Sequence, residues 1–353
     1  MTIRREIQSN PGVAVALAWL AISACGSTAP ATPAADGATA ETTADAAAGP
    51  SDGATAGDSA TAGDSATAAD GASGVETPTA DAASADVAGL PAAPTPYAWT
   101  CPDFSSGPVE LQVGGFGRGL LVTLPEDPKG AGVLFLWHGL GDSAKNFNTA
   151  FGAKQLAKAL NVVVVTPDVC CNTASAKGCC SMMTGWHFVA DAHLDAGIFD
   201  GALACLDAQH GIDRKRVYTM GFSAGALWST WLVMHRSAQL AAAAILSGGV
   251  NDFNPWSKPA LPVPVLDSSG GPNDQFGQGL VDFQASTETL NKHLRSAGHF
   301  VVHCQHSQGH TVTPDIAQFA AQFLLAHSHD PAGQSPLSAG LPSKAPAGCK
   351  IVP

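Results

Sequence analysis

The chain has 353 residues and a formal net charge of −12, and ten of its 29 acidic residues lie between Gly26 and Pro96, where there is no Lys, Arg, Phe, Trp or Cys. Subtracting those ten charges leaves −2 for everything else. The acidity therefore belongs to one segment, and the charge balance gives no reason to expect nucleic acid as a partner.

Arg4 and Arg5 precede an apolar stretch, Val13 to Ile22, that ends in Ile22-Ser23-Ala24-Cys25. A charged start, an apolar core and small residues before the break make an export signal over residues 1–25. The tetrapeptide resembles a bacterial lipobox. That resemblance implies that Cys25 is lipidated and that the mature protein is anchored to the cell envelope or cell surface without spanning the membrane. No later run reaches the ~20 apolar residues of a transmembrane helix.

Residues 26–96 hold near-repeats, GDSATA at 57–62 and again at 63–68. Such a segment cannot bury enough apolar surface to offset its ordering entropy, so it is expected to be a disordered Ala/Thr/Gly/Asp-rich spacer. The folded domain is expected over 97–329, with a C-terminal tail over 330–353.

Leu111 to Val113 and Leu120 to Leu124, around the glycine-rich run 114–119, predict a β-hairpin. The glycines lack G-x-G-x-x-G spacing, so the run is a turn and not a dinucleotide loop. Val133 to Trp137 is a continuous apolar strand that runs into His138-Gly139-Leu140-Gly141-Asp142. Helix is then predicted over Ala153 to Leu160, strand over Val162 to Thr166, and a long Cys-rich loop to Val189. The helix Ala196 to Gln209 follows, then a strand over Arg216 to Thr219 leading into Met220-Gly221-Phe222-Ser223-Ala224-Gly225, and a helix over Ala226 to His235. Strands over Ala242 to Leu246 and Val263 to Leu266, a helix over Leu280 to Arg295, a strand over Phe300 to Cys304 and a helix over Ile316 to Ala326 complete the order. Continuous apolar strands alternating with helices imply an α/β fold with a mostly parallel sheet covered on both faces. Between Leu246 and Val263 there is no room for a large cap domain.

With Cys25 set aside, eight cysteines remain. In an exported protein they are expected to form disulfides. The doublets Cys170-Cys171 and Cys179-Cys180, separated by seven residues, lack zinc-site spacing and are expected to staple the loop Asp168 to Val189. Cys205 offers that loop a further anchor, and Cys101 paired with Cys349 would fasten the tail. No metal and no cofactor is expected.

The chemistry-bearing residues share one placement: each follows the end of a strand, where ligands of parallel sheets bind. Gly221-Phe222-Ser223-Ala224-Gly225 is a strand–turn–helix elbow that lifts a serine hydroxyl above the sheet edge, so Ser223 is the expected nucleophile. A serine needs a base and a group that orients the base. His310 fits the base, with His303 and His306 as alternatives. Asp274, closing Gly270-Gly271-Pro272-Asn273, fits the acid, with Asp267 and Asp282 as alternatives. The backbone NH groups of Ala224 and Leu140 are the expected oxyanion donors. His138 is expected to brace the loop. In the loop Asp168 to Val189, Trp186 and His187 are candidates for an acyl-binding wall, unless Trp186 fills the core beneath it.

Residues 110–327 resemble the α/β-hydrolase superfamily, and within it the secreted polyhydroxybutyrate depolymerase and feruloyl esterase group. The matching stretches are Trp137-His138-Gly139, Val165-Thr166-Pro167-Asp168, Gly185-Trp186, Asp213 to Tyr218, the GFSAG elbow and Gly271-Pro272-Asn273-Asp274. The chain order Ser223, Asp274, His310 is that of α/β-hydrolases. One departure stands out: the group has His-Gly-x-x-Asp at the acid turn, and here Gly270 takes the place of that His. The resemblance implies a serine esterase acting on bulky acyl or polymeric esters; a site with no large cap is expected to be open enough for polymer chains or glycan-linked esters, and a monomer is expected. A peptidase on the same fold and a non-catalytic surface-binding lipoprotein are the competing functions.

Overall fold

The computed structural model describes residues 99–169, 185–188 and 192–353. The expectations for the export signal, Cys25, the spacer 26–96 and the doublets at 170–171 and 179–180 lie outside those residues.

Nine strands form one sheet. In chain order the elements are β1 (Gly107–Val113), β2 (Phe116–Thr123), β3 (Gly132–Trp137), α1 (Ala144–Ala150), α2 (Ala153–Leu160), β4 (Val162–Pro167), α3 (His193–His210), β5 (Val217–Phe222), α4 (Ala224–Arg236), β6 (Ala242–Leu246) and β7 (Val265–Ser269). A small hairpin of β8 (Gln275–Phe276) and β9 (Val281–Asp282) precedes α5 (Phe283–Ser296), β10 (Val301–Gln305), α6 (Pro314–Leu325) and β11 (Cys349–Ile351). The spatial order is β1-β2-β4-β3-β5-β6-β7-β10-β11. Neighbours from β4 to β10 run parallel, while β1, β2 and β11 join antiparallel at the edges.

Two hydrophobic cores follow from the two-residue period of the strands. Along β3, Val133, Phe135 and Trp137 enter one core with Phe199, Leu203, Trp228 and Leu290 of α3, α4 and α5. Leu134 and Leu136 enter the other with Phe147, Leu156 and Phe319 of α1, α2 and α6. Strands buried on both faces have no polar side to present, which is why they read as unbroken apolar runs. Helix α2 is amphipathic instead: Leu156 and Ala157 are buried while Lys154 and Lys158 are exposed.

Four expectations are corrected. The hairpin turn is Gly114-Gly115, both at positive φ, and β2 starts at Phe116; a two-residue turn with that backbone matches the strand twist, so pairing continues through the glycines of the run. The strand expected over Val263 to Leu266 lies at Val265–Ser269, which carries it to the acid turn. The segment 330–353 is not a loose tail throughout, because Cys349–Ile351 pairs with β10 and extends the sheet. Cys101 bonds Cys205 and Cys349 bonds Cys304, so neither Cys101–Cys349 nor a loop anchor at Cys205 is formed. Cys304 and Cys349 are direct partners across β10 and β11. That register makes them each other's neighbours.

Candidate active site

Because β3, β5, β6, β7 and β10 are parallel, their carboxyl ends gather the segments that follow them at one edge of the sheet. β5 runs into Ser223, whose backbone at φ 56 and ψ −122 makes the sharp reversal from strand to helix. A Cβ on Gly221 would lie 2.1 Å from the Gly225 carbonyl oxygen, and one on Gly225 would lie 2.0 Å from that of Trp137. No side chain fits at either place, so the elbow requires both glycines.

Ser223, His310 and Asp274 form one hydrogen-bonded line: His310 Nε2 is 2.8 Å from Ser223 Oγ, and its Nδ1 is 2.6 Å from Asp274 Oδ1. The imidazole is held between two rings, with centroid distances of 4.8 Å to Phe222 and 4.5 Å to Phe283. Stacking on both faces limits ring tilt and keeps each nitrogen on its partner. The second carboxylate oxygen of Asp274 accepts hydrogen bonds from Ser247 Oγ at 2.8 Å and from the Gly270 NH at 2.7 Å. Asp274 is fully buried, and these donors stabilise its charge in a site without water contact.

Gly270 also accounts for the departure from the His-Gly-x-x-Asp pattern. A Cβ there would sit 1.8 Å from the Gly309 carbonyl oxygen, so the loop carrying His310 packs directly on it. A histidine in that place would displace the loop. The Gly309 NH in turn donates to the Gly270 carbonyl at 3.1 Å.

The alternatives have other partners. His303 Nδ1 is 2.6 Å from Asp267 Oδ1, its register partner across β10 and β7. Asp267 is buried deep in the sheet, and that burial raises its pKa against the opposing His303 bond. His306 accepts from the Gln308 NH, and burial lowers its pKa although the Asp274 charge opposes this. Asp282 caps α5, accepting from the Ala285 NH at 2.9 Å.

His138 is buried and bridges the Gly139 carbonyl and Asp168 Oδ1. That is a bracing position. Leu140 and Ala224 line one cleft with Ser223, and Ala224 is the first residue of α4, where helical NH groups have no partner within the helix. Trp186 and His187 do not line it. Trp186 is wholly buried, edge-on to Trp137 at 5.1 Å, with its Nε1 donating to the His138 carbonyl. His187 binds Asp195, which also pairs with Arg118. Burial pushes the Asp195 pKa up, but the His187 hydrogen bonds and the Arg118 charge outweigh it and hold the carboxyl below its ordinary value. Both side chains therefore brace the fold, where an indole and an imidazole can satisfy their polar atoms.

Ser247, Phe222 and Phe283 are the neighbours of the line that sequence reasoning missed. Ser247 had a signal: it follows β6 directly, as Ser223 follows β5. Phe222 and Phe283 had none, since a ring against an imidazole looks like any core aromatic.

Residues 118–328 match the phospholipase/carboxylesterase family. No curated protein sequence matches the chain. Among solved structures, native sOPH aligns with a TM-score of 0.59 at 20% identity, over 72% of this chain and 97% of its own. Native pOPH aligns with a TM-score of 0.59 at 19% identity, over 72% and 98%. The poly(3-hydroxybutyrate) depolymerase LpqC from Bordetella parapertussis aligns at 14% identity and a TM-score of 0.47, over 63% and 89%, too distant to carry an argument. The parallel sheet, the strained elbow and a match over more than half its length converge: the chain is an α/β-hydrolase belonging to the phospholipase/carboxylesterase family.

Proposed function

We propose that the protein hydrolyses carboxylic esters through an acyl-enzyme on Ser223. His310 Nε2 takes the hydroxyl proton as Ser223 Oγ attacks the ester carbonyl carbon, and the carbonyl electron pair moves onto oxygen. Asp274 accepts from Nδ1–H and stabilises the imidazolium that forms. The NH groups of Ala224 and Leu140 donate to the oxyanion. Collapse expels the alcohol oxygen, which takes the proton from His310. Water then repeats the sequence: His310 takes its proton, the acid leaves, and Ser223 Oγ regains its hydrogen.

The observation that carries this reading is the unbroken Asp274–His310–Ser223 line, with contacts of 2.6 and 2.8 Å. A fluorophosphonate probe should label the protein but not Ser223→Ala, and turnover of p-nitrophenyl butyrate should disappear with the label. Turnover that survives in Ser223→Ala would overturn the assignment. Peptide turnover faster than ester turnover would favour a peptidase. The resemblance to polyhydroxybutyrate depolymerases and feruloyl esterases supports polyhydroxyalkanoate, feruloyl or acetyl esters as substrates.

Export with a lipid on Cys25 is part of the same proposal. Its support is the Arg4-Arg5 start, the apolar run Val13 to Ile22 and the disulfides Cys101–Cys205 and Cys304–Cys349, a bond that persists in oxidising compartments. Labelled palmitate should enter the wild-type chain in a bacterial host and not Cys25→Ser.

A further inference from the structure

His310 gains a positive charge and loses it again in each half of the reaction, and two aromatic rings face it while it does. We infer that Phe222 and Phe283 do more than hold the imidazole: their ring faces stabilise the imidazolium that exists only while Ser223 or water is attacking, so both are positioning residues with an electrostatic share in the rate. The inference rests on His310 as the base of the Ser223 reaction.

The Phe222 ring centroid is 4.8 Å from that of His310 with 28° between the planes, and the Phe283 centroid is 4.5 Å away at 13°. Both rings therefore present a face. A cation over the face of an aromatic ring, within about 6 Å of its centroid, is attracted by the negative side of the ring quadrupole. Among the described residues no other imidazole has near-parallel rings on two sides: His293 stacks on Trp256, and the two rings beside the buried His327 are tilted by 40° and 48°. The His310 side chain is 9% exposed, so little water competes for a charge formed there, and the attraction is stronger for a desolvated cation.

The rings are carried by the partners of His310. Phe222 ends β5 and adjoins Ser223, with Leu246 of β6 as its register partner. Phe283 opens α5, and its NH donates to the Asp274 carbonyl at 2.9 Å. Neither ring rides on the loop that bears His310, so both stay in place whichever charge the imidazole has.

When Ser223 Oγ attacks, its proton passes to His310 Nε2 and the ring becomes a cation; when that proton goes to the leaving alcohol oxygen, the ring is neutral again. The imidazolium gains more from two aromatic faces than the neutral imidazole does. The contact is therefore stronger in the transition state than before attack, and only such a difference accelerates a step. Asp274 acts on the same charge through the Nδ1–H edge of the ring, and the phenylalanines act through its faces.

The test separates charge from packing. Phe222 and Phe283 are replaced one at a time by 4-fluoro-, 3,5-difluoro- and 3,4,5-trifluorophenylalanine, which nearly keep the shape of the ring while withdrawing electron density from its face. kcat and KM for p-nitrophenyl butyrate, melting curves and fluorophosphonate labelling of Ser223 are measured for each. The logarithm of kcat/KM should fall in proportion to the number of fluorines, by about 10-fold at the third, the scale of a desolvated cation–π contact. Phe222 does not line the cleft beside Ser223, so in its series kcat should carry the fall while KM holds. Phe222→Leu should lose a similar factor, and the fluorinated rings keep the test open if that variant fails to fold. A flat fluorine series in folded, labelled protein would leave packing as the rings' only role and overturn this inference while the nucleophile reading stands. Absence of Ser223-dependent labelling in the wild type would instead overturn the nucleophile and base reading, and this inference with it.

Discussion

Asp274 spends one carboxylate oxygen on His310 and the other on Ser247 and Gly270. Ser247 sits at φ 53, a strained backbone for a residue with a side chain, at a cost of about 1–3 kcal/mol that its surroundings offset. A hydrogen bond to a charged group contributes about 1.5–3 kcal/mol, so Ser247→Ala should lower kcat/KM by about 10-fold or more. Ser223→Ala and His310→Ala should each lower turnover by about 10⁴-fold, because such residues act as a unit, and Asp274→Asn should cost less. Near-wild-type activity in Asp274→Asn would refute its role as the orienting acid.

At the scale of elements, α5 and the disulfides carry predictions that separate stability from chemistry. Asp282 is the N-cap of α5, and replacing such a cap by Ala costs about 1 kcal/mol. Asp282→Ala should lower the melting temperature while activity per folded molecule persists; loss of activity without loss of stability would make Asp282 a functional carboxylate. The Cys304–Cys349 and Cys101–Cys205 bonds span 45 and 104 residues. Restricting the unfolded chain over such lengths contributes about 4 to 5 kcal/mol each in the chain-entropy account. Replacing Cys304 and Cys349 together by Ala should release β11 and lower the melting temperature by several degrees. An unchanged denaturation midpoint would mean that strand pairing alone holds that edge.

For the whole molecule, acid should be the destabilising direction below neutrality. Burial lowers the pKa of His327 to about 4, although its bond to the Phe323 carbonyl opposes this. Burial also lowers His299. These rings are neutral in the folded state, and the unfolded chain binds protons near pH 6.5, so protons favour unfolding. Their contribution is intact above about pH 6.5 and is lost as pH falls towards 4, with His327 alone worth up to about 3 kcal/mol. The neutral ring suits its place: Nδ1–H donates to Phe323 and Nε2 faces Ser335 Oγ at 2.7 Å. Melting curves from pH 7.5 to 4.5 should fall, and His327→Gln should flatten that fall. An equally steep loss in the variant would assign the acid sensitivity elsewhere.

Local chemistry was enough to read the order of the longer strands and helices, the strand–turn–helix elbow at Ser223 and the Gly270–Asp274 turn from the sequence, whereas Ala144–Ala150, the β8–β9 hairpin and β11 were not read. Apolar runs, glycine spacing and turn residues act over a few positions and do not need the rest of the chain. Other matters depended on which strands become neighbours. Register across β7 and β10 gives Asp267 to His303, and the turn beyond β7 gives Asp274 to His310, although each pair lies 36 residues apart. Register across β10 and β11 likewise pairs Cys304 with Cys349, which no spacing rule could choose among eight cysteines. Trp186 in the core and Ser247 on Asp274 were settled by packing between segments far apart in sequence. The carboxyl edge of a parallel sheet is where such segments meet, so the residue types were legible locally and their partners were not.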